Sequence, residues 1–112
     1  MTIEELIAEE VSDLTTELQS EPDFDSAVLE IKVKNVVKEV MQRRNYRATK
    51  YTTEQIAEDL NTFYSIIHDV ALYDYNKIGA EGESSHSENG ISRHYVERDK
   101  LLGNVYSFVT VL

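Results

Sequence analysis

Cysteine is absent from the 112 residues of this chain. The chain can therefore form no disulfide framework, no thiolate metal site and no cysteine nucleophile, which suits folding in a reducing cytoplasm. Long apolar runs are also missing, and residues 1–20 are acidic where a signal peptide would be basic. We expect a soluble, unexported protein with one domain, residues 1–112, whose modest core would benefit from oligomerisation.

Proline occurs once, at position 22, and it predicts where a first helix ends. Thr2 is typical of an N-cap, with Glu5 at the capping-box position. The apolar residues that follow lie at helical spacing: Ile3, Leu6, Ile7, Val11, Leu14 and Leu18. Glu9 and Glu10 are expected on the acidic, exposed face of this helix, and Pro22 cannot continue its hydrogen-bond ladder.

A second helix is predicted from Phe24 to Tyr46. The strict alternation over residues 29–34 is typical of a half-buried strand when taken alone. No turn residue occurs before Asn45, however, and Asp25 or Ser26 offers an N-cap. The apolar residues beyond the alternation follow helical spacing: Val36, Val37, Val40 and Met41.

A third helix is predicted from a second capping box, Thr52 with Gln55, to Ile78, with Gly79 at C′. Its buried stripe is expected to contain Ile56, Leu60, Phe63, Ile67 and Val70, widened by Tyr64, Ala71 and Tyr75. Residues 96–103 favour a short fourth helix, and residues 104–112 favour an extended tail. The predicted fold is all-α: a small bundle with a helical core at about 2–78, a loop at 79–95 and a C-terminal helix and tail at 96–112.

Charge is divided into three blocks. Residues 1–31 contain ten acids and no Lys or Arg, and residues 51–112 carry a net charge of −6. Residues 32–50 carry +6, because only Glu39 opposes seven bases. Those bases are Lys32, Lys34, Lys38, Arg43, Arg44, Arg47 and Lys50.

The basic block has three interpretations. Its Arg and Asn side chains could bind nucleic acid, which would make the chain a small helical nucleic-acid-binding or regulatory protein that uses residues 43–50. It could instead be a solvated helix end, where the macrodipole favours cations. Thirdly, it could meet the acidic first helix of a neighbouring subunit in a head-to-tail contact, which closes into a ring. The candidate interface residues are Glu9, Glu10, Lys38, Arg43, Arg44 and Arg47.

Glycine is scarce, and three of the four glycines lie between Lys77 and Tyr95. They allow positive φ, and Asn89-Gly90 is a strong turn signal, so a shaped loop is expected. A phosphate cradle is disfavoured because the loop lacks Gly-Lys-Ser/Thr and carries acids. A metal site built from Glu81, Glu83, His86 and Glu88 is conceivable, but a solvated loop is the simpler interpretation. We expect no metal and no cofactor.

No catalytic signature is present. His68 and Asp69 are sequence neighbours on a helix, so they point about 100° apart, and a packing or surface histidine is expected. Three serines flank His86, but the chain contains no Gly-x-Ser-x-Gly pattern. The sequence therefore predicts that the protein is not an enzyme.

The stretch from Ile66 to Tyr95 resembles the small head-to-tail connector proteins of tailed phages, and Val28 to Tyr64 resembles them more weakly. The resemblance rests on Ala71-Leu-Tyr-Asp-Tyr75, Gly79-Ala-Glu-Gly82, Ser84-Ser-His-Ser-Glu-Asn-Gly90 and Ile91-Ser-Arg93-His-Tyr95. It implies a structural virion protein, a small helical bundle without catalysis, which forms a ring under the portal, extends the DNA channel and receives a neck or tail component.

The resemblance also implies partners and a place. The partners are other copies of the chain in a ring, a dodecamer on the portal, together with the portal protein and a neck or tail completion protein. DNA is expected to pass without specific binding, because loop carboxylates repel phosphates, and no membrane is involved. The location is the virion neck, after assembly in the host cytoplasm. The candidate channel or assembly loop residues are Gly79, Glu81, Gly82, Glu83, His86, Glu88, Asn89, Gly90 and Arg93.

Overall fold

The computed structural model describes residues 1–80, with side chains through Lys77, and residues 98–109. Its α-helices are α1 (Ile3–Leu18), α2 (Ser26–Arg44), α3 (Thr53–Thr62) and α4 (Tyr64–Ala80), and a 3-10 turn (Tyr46–Ala48) follows α2. Residues 98–102 are also helical. No strand occurs in these two described ranges, and the predicted all-α bundle is confirmed.

Helix α1 begins with the predicted capping box. The backbone N–H of Glu5 donates to Thr2 Oγ1 at 3.0 Å, and the N–H of Thr2 donates to Glu5 Oε1 at 3.2 Å. The helix ends at Leu18, before Pro22, as expected. One expectation is wrong: Glu10 is completely buried rather than exposed, because it lies on the core-facing side of α1 between Leu6 and Leu14.

Helix α2 is continuous through the alternating stretch, which confirms the helical interpretation. A strand would place residues 29, 31 and 33 on one face, whereas Leu29 and Val33 are buried and Ile31 is 55% exposed. The Asp25 carboxylate caps the helix by accepting from the N–H groups of Ala27 and Val28 at 3.0 and 3.2 Å. Asn45, in the left-handed conformation with φ 56°, ends it.

The predicted continuous third helix is divided in two. Phe63 has φ −101° and ψ 20°; its N–H donates to the Leu60 carbonyl, and its own carbonyl accepts from Ile67 at 2.9 Å. It therefore ends α3 and begins α4. Residues 61–65 all have weaker helix propensities, and Thr62 Oγ1 bonds back to the Glu58 carbonyl at 3.3 Å, which favours a bend.

The end of α4 also differs from the prediction. Gly79 was expected at C′, but the helix continues to Ala80, so the backbone of Gly79 is helical. Helical residues 98–102 agree with the predicted short helix, and residues 106–109 of the predicted tail have no regular structure. The remaining candidate loop residues, from Glu81 to Arg93, lie outside the described residues.

The core lies between α2 and the other helices. Helix α2 packs mainly on α4 and α1, while α3 closes one end and contacts all three. Leu102 brings the C-terminal helical residues into the same cluster. The large apolar side chains that are 0 or 1% exposed are Leu6, Leu14, Leu29, Val33, Val36, Val37, Val40, Leu60, Ile67, Val70 and Leu102.

Candidate functional site

The six candidate interface residues fall into two groups. Glu9 on α1, Lys38 and Arg43 on α2, and Arg47 in the 3-10 turn are exposed and available to a neighbour. Glu10 and Arg44 are instead held inside the subunit, Glu10 completely and Arg44 with a side chain that is 14% exposed. The expected exposure of these two residues is therefore wrong, and each belongs to an internal cluster.

Glu10 lies at a polar seam between α1 and α4. Its Oε2 is 3.3 Å from Nδ1 of His68, and Nε2 of the same ring is 3.1 Å from Oε1 of Glu17. Tyr64 donates its hydroxyl proton to Asp13 close by. The ring of His68 thus bridges two carboxylates of α1, and the predicted packing role of this histidine includes a specific contact between helices.

The carboxyl group of Glu10 is electrostatically unfavourable as an anion. Burial, followed by repulsion from Asp13, Asp69, Glu9 and Glu17, raises its pKa from 4.5 to about 8. Its Oε1 is buried without a hydrogen-bond partner. A protonated Glu10 can donate to Nδ1 of His68 while Nε2–H donates to Glu17, so at neutral pH the seam holds a proton that a solvated glutamate would release.

A sequence signal for this cluster existed. Glu10 stands four residues after Leu6 and four before Leu14, and Leu18 continues the series, so the register of α1 places Glu10 in the buried stripe. An acidic residue at such a position calls for a partner on the facing helix. His68 supplies it, directly after the buried Ile67 on α4.

Arg44 forms the centre of the second cluster, where α2, α3 and the tail meet. Its Nε and Nη2 donate to the two oxygens of Asp59, both at 2.8 Å, in a bidentate ion pair. Tyr46 donates its hydroxyl proton to Asp59 Oδ2 at 2.6 Å. Nη1 of Arg44 donates to the Tyr106 carbonyl at 2.7 Å. Each of the three guanidinium nitrogens therefore donates to an oxygen of the same subunit, which commits three of the five N–H groups of Arg44.

Aromatic rings enclose the same guanidinium. Its central carbon lies 3.9 Å from the ring centroid of Phe108 and 5.0 Å from that of Phe63. The backbone N–H of Phe108 donates to the Arg44 carbonyl at 2.9 Å, and Nδ2 of Asn45 donates to the Phe108 carbonyl at 3.2 Å. The tail thereby satisfies the Arg44 carbonyl at the end of α2 and binds the side chain of Asn45, so its described part is docked on its own subunit.

The charges of this cluster stabilise one another. Burial alone would raise the pKa of Asp59, but hydrogen bonds from Arg44 and Tyr46 outweigh it and lower that pKa. The hydrogen bond to Asp59 raises the pKa of Arg44. Asp59 is three residues after Ile56 and four before Phe63, and this place within the α3 stripe is the sequence signal that could have identified it.

Arg98 forms a third cluster that joins the C-terminal helical residues to α2 and α4. Its Nε donates to Asp74 Oδ1 at 2.9 Å, and its Nη2 donates to Glu39 Oε2 at 2.7 Å. Hydrogen bonds to Asp74 and then Glu39 raise the pKa of the guanidinium. Glu39, the single acid of the basic block, is therefore used inside the subunit.

The described residues give no sign of a metal site or a membrane span. Within residues 1–80 and 98–109, no group of three or more His, Asp or Glu side chains is arranged to hold a metal ion. No helix in the same ranges has the length and apolar character that crossing a bilayer needs. The conceivable metal ligands Glu81, Glu83, His86 and Glu88 lie outside the described residues.

The chain is similar to one known family. Residues 8–101 match the family described as phage gp6-like head-tail connector protein. The chain matches no curated protein and no solved structure. The family match begins at Ala8 within α1 and continues through α4 to helical residues 98–101, so it includes all three internal clusters except the tail.

Proposed function

The chain belongs to the family of phage gp6-like head-tail connector proteins, and from that membership we propose that it forms a ring below the portal, extends the DNA channel and joins the head to the neck or tail. The family is structural, with a place between the head and the tail of the virion. The match over residues 8–101 is the observation that carries the proposal.

The surface charge of the subunit supports ring formation. A closed ring requires two different, complementary faces on each subunit. One is available on the acidic α1, where Glu9 is exposed, and the other at the basic end of α2, where Arg43 and Arg47 are exposed. We assign these residues the interface role expected from the sequence, whereas Glu10 and Arg44 make their contacts inside the subunit.

The proposed partners are the portal protein on one side of the ring and a neck or tail completion protein on the other. On the portal the ring would be a dodecamer, assembled in the host cytoplasm. DNA would pass through without specific binding, because the chain has a net charge of −10 and Arg44 of the basic block already forms an ion pair with Asp59. The role requires no catalysis and no cofactor.

Electron microscopy of the purified protein tests this function, alone and mixed with the portal protein of the same phage. We expect rings in the mixture, stacked coaxially on the portal, and fewer rings at about 1 M salt, where the Debye length falls to about 3 Å. A protein that stays monomeric with the portal present, at low and at high salt, would contradict the proposal.

A further inference from the structure

An exposed surface surrounds the docked tail at the end of α2. It combines basic side chains with three of the five large apolar side chains that are exposed in the described residues. We call it the tail-side surface, and its members are Arg43, Arg47, Lys50, Tyr51, Tyr106 and Val109. Tyr106 is 70% exposed, Val109 76% and Tyr51 40%.

The internal Arg44 cluster holds this surface in place. Arg44 binds the Tyr106 carbonyl, and the ring of Phe108 packs 5.4 Å from that of Tyr51 and 6.1 Å from that of Tyr46. The exposed side chains of Tyr106 and Val109 lie two residues before and one residue after the anchored Phe108. The backbone at Tyr106 and the ring of Tyr51 are therefore held in place before a partner binds, which lowers the conformational entropy lost on binding.

The composition of the tail-side surface is that of an interface core with a charged rim. Tyrosine and arginine are enriched among the residues that dominate binding energies, and exposed Tyr106 and Val109 leave apolar area in water. Arg43 and Arg47 pair with no carboxylate in residues 1–80 and 98–109. A matching partner must therefore offer carboxylates and some apolar area.

The first half of α1 has those properties. Its carboxylates Glu4 and Glu9 are exposed and make no ion pair within the described ranges, and Met1, two residues before the helix begins, is 41% exposed. The second half differs, because Asp13 accepts from Tyr64 and Glu17 contacts His68. With ten acids and no base in residues 1–31, the free end of α1 complements the tail-side surface in charge.

We infer that the tail-side surface binds the first half of α1 of a second copy of this chain, with Tyr106 and Val109 as its apolar centre. The inference rests on the proposed ring and specifies its subunit contact. It makes the tail part of the ring interface and Arg44 a positioning residue that holds the tail.

The test of the apolar centre is a double variant, Tyr106→Ser with Val109→Ser, in the full-length protein. The matched control is Ile31→Ser, which removes an apolar side chain of comparable exposure, 55%, from the outer face of α2. Sedimentation velocity should show self-association weakened at least about tenfold by the double variant and within about twofold of wild type for the control. Circular dichroism confirms that both variants are folded. Equal effects of the two would overturn the inference.

The test of the charged rim is a charge exchange. Arg47→Glu and Glu9→Lys should each weaken self-association several-fold, and the double variant should recover most of it, because the exchanged charges attract again. Lys34→Glu is the control, since Lys34 already pairs with Glu30 on another face of α2. Failure of the double variant to recover beyond the single ones would contradict the assignment of Glu9 as the facing charge.

The same samples separate this inference from the proposed function. Rings on the portal that are indifferent to the tail-side variants would leave the function standing and overturn the surface assignment. A wild type that forms no oligomer, even with the portal, would overturn both. A gel-shift titration with duplex and single-stranded DNA adds a third outcome. DNA binding that the tail-side variants abolish, without loss of self-association, would assign the surface to nucleic acid and overturn the inference.

Discussion

Two polar clusters inside this small bundle accommodate a buried carboxyl group in opposite ways. At the seam between α1 and α4, Glu10 is buried among further carboxylates, with one histidine as partner and one oxygen unpaired. At the junction of α2, α3 and the tail, Asp59 is largely buried against Arg44, whose three guanidinium nitrogens each donate to a protein oxygen and whose face is covered by Phe108. The first cluster depends on a proton and the second on a permanent cation.

This difference determines how the stability of each cluster depends on pH. An arginine stays charged at any pH that a folded protein tolerates, and the lowered pKa of Asp59 keeps that carboxyl ionised at neutral pH, so the Arg44 cluster weakens only in acid, as Asp59 takes up a proton. The carboxyl of Glu10 exchanges its proton with solvent in the range where proteins are handled. The seam therefore weakens as pH rises, while the junction does not.

The largest expected effect is the loss of Arg44. Arg44→Ala would leave Asp59 about 15% exposed with an unpaired charge and would release the Tyr106 carbonyl. Removing one partner of a buried ion pair costs about 3 kcal/mol, the lower end of the range because the pair is not completely buried. Urea denaturation followed by circular dichroism measures this change. Arg43→Ala, the exposed neighbour, should stay within about 0.5 kcal/mol of wild type.

If Arg44→Ala and Arg43→Ala proved equally mild, the contrast between a structural and a surface arginine would be lost.

A second variant separates charge from packing at the junction. Phe108→Leu keeps an apolar side chain over the guanidinium but removes the aromatic face, and we expect a cost of about 1 kcal/mol from the lost cation–π contact. A larger loss in the free energy of unfolding than that of Arg44→Ala would show that packing of the Phe108 ring, rather than the ion pair, stabilises the junction.

Arg98 should give an intermediate effect. Arg98→Ala removes a guanidinium that joins Asp74 and Glu39, whose side chains are 18 and 32% exposed. Because Glu39 is partly solvated, we expect a loss of about 2 kcal/mol in the free energy of unfolding, less than for Arg44. Lys100→Ala, an exposed cation on the same helical segment, is the control. Unchanged stability in Arg98→Ala would show that this cluster does not hold residues 98–102 on the bundle.

The effect of Glu10→Gln should depend on pH. The pKa of Glu10 in the folded chain is about 8, above its ordinary 4.5, so the native state holds a proton that the unfolded state releases. The stabilisation from that proton is complete below pH 4.5 and is lost as pH rises through about 8. Glu10→Gln has no such proton to lose. Its free energy of unfolding, relative to that of wild type, should therefore rise by about 1 kcal/mol from pH 6 to pH 7; the largest change that one proton allows is about 1.4 kcal/mol per pH unit.

Thermal or urea melts at a series of pH values measure this gain. Glu9→Gln is the matched control, because Glu9 is the adjacent, exposed glutamate on α1. It should change stability by about the same small amount at each pH. A constant difference between Glu10→Gln and wild type from pH 5 to pH 8 would show that Glu10 titrates like a solvated carboxyl.

The smallest expected effect is on DNA. Because Arg44 is paired with Asp59 and the chain carries a net charge of −10, we expect no measurable complex with duplex DNA at about 150 mM salt. A fluorescence titration tests this expectation. Submicromolar binding that is lost on replacing Arg43 and Arg47 would contradict the comparison, since the basic end of α2 would then be a nucleic-acid site.

Local sequence signals were sufficient for most of the fold. The capping boxes at Thr2 and Thr52 and the spacing of apolar residues predicted where α1, α2 and α3 begin, and the burial of Leu29 and Val33 with Ile31 exposed decided between helix and strand. The break at Phe63 was missed because the apolar stripe continues across it. Stripe periodicity records which face is buried, but not whether the backbone between two such residues stays helical.

The internal clusters could be predicted only in part. Glu10 was assigned to the surface because acids usually are exposed, although its place in the Leu6 to Leu14 register pointed inward. The pairing of Arg44 with Asp59, and of Arg98 with Asp74, depends on how helices far apart in sequence pack, which no local pattern determines. Exposed Glu9, Arg43 and Arg47 are available as expected. Their contact with a neighbour stays a prediction.

The clamp between Arg98 and Asp74 has a consequence for how such chains can change in length. Asp74 lies on α4 six residues before that helix ends at Ala80, and Arg98 lies at the start of the C-terminal helical residues, so the ion pair fixes these two described parts of the chain to each other. The entropy of closing a loop between fixed ends grows only with the logarithm of its length, about 0.6 kcal/mol for each doubling. For the loop predicted from the sequence at residues 79–95, insertions after residue 80 should therefore leave the melting temperature of the bundle nearly unchanged.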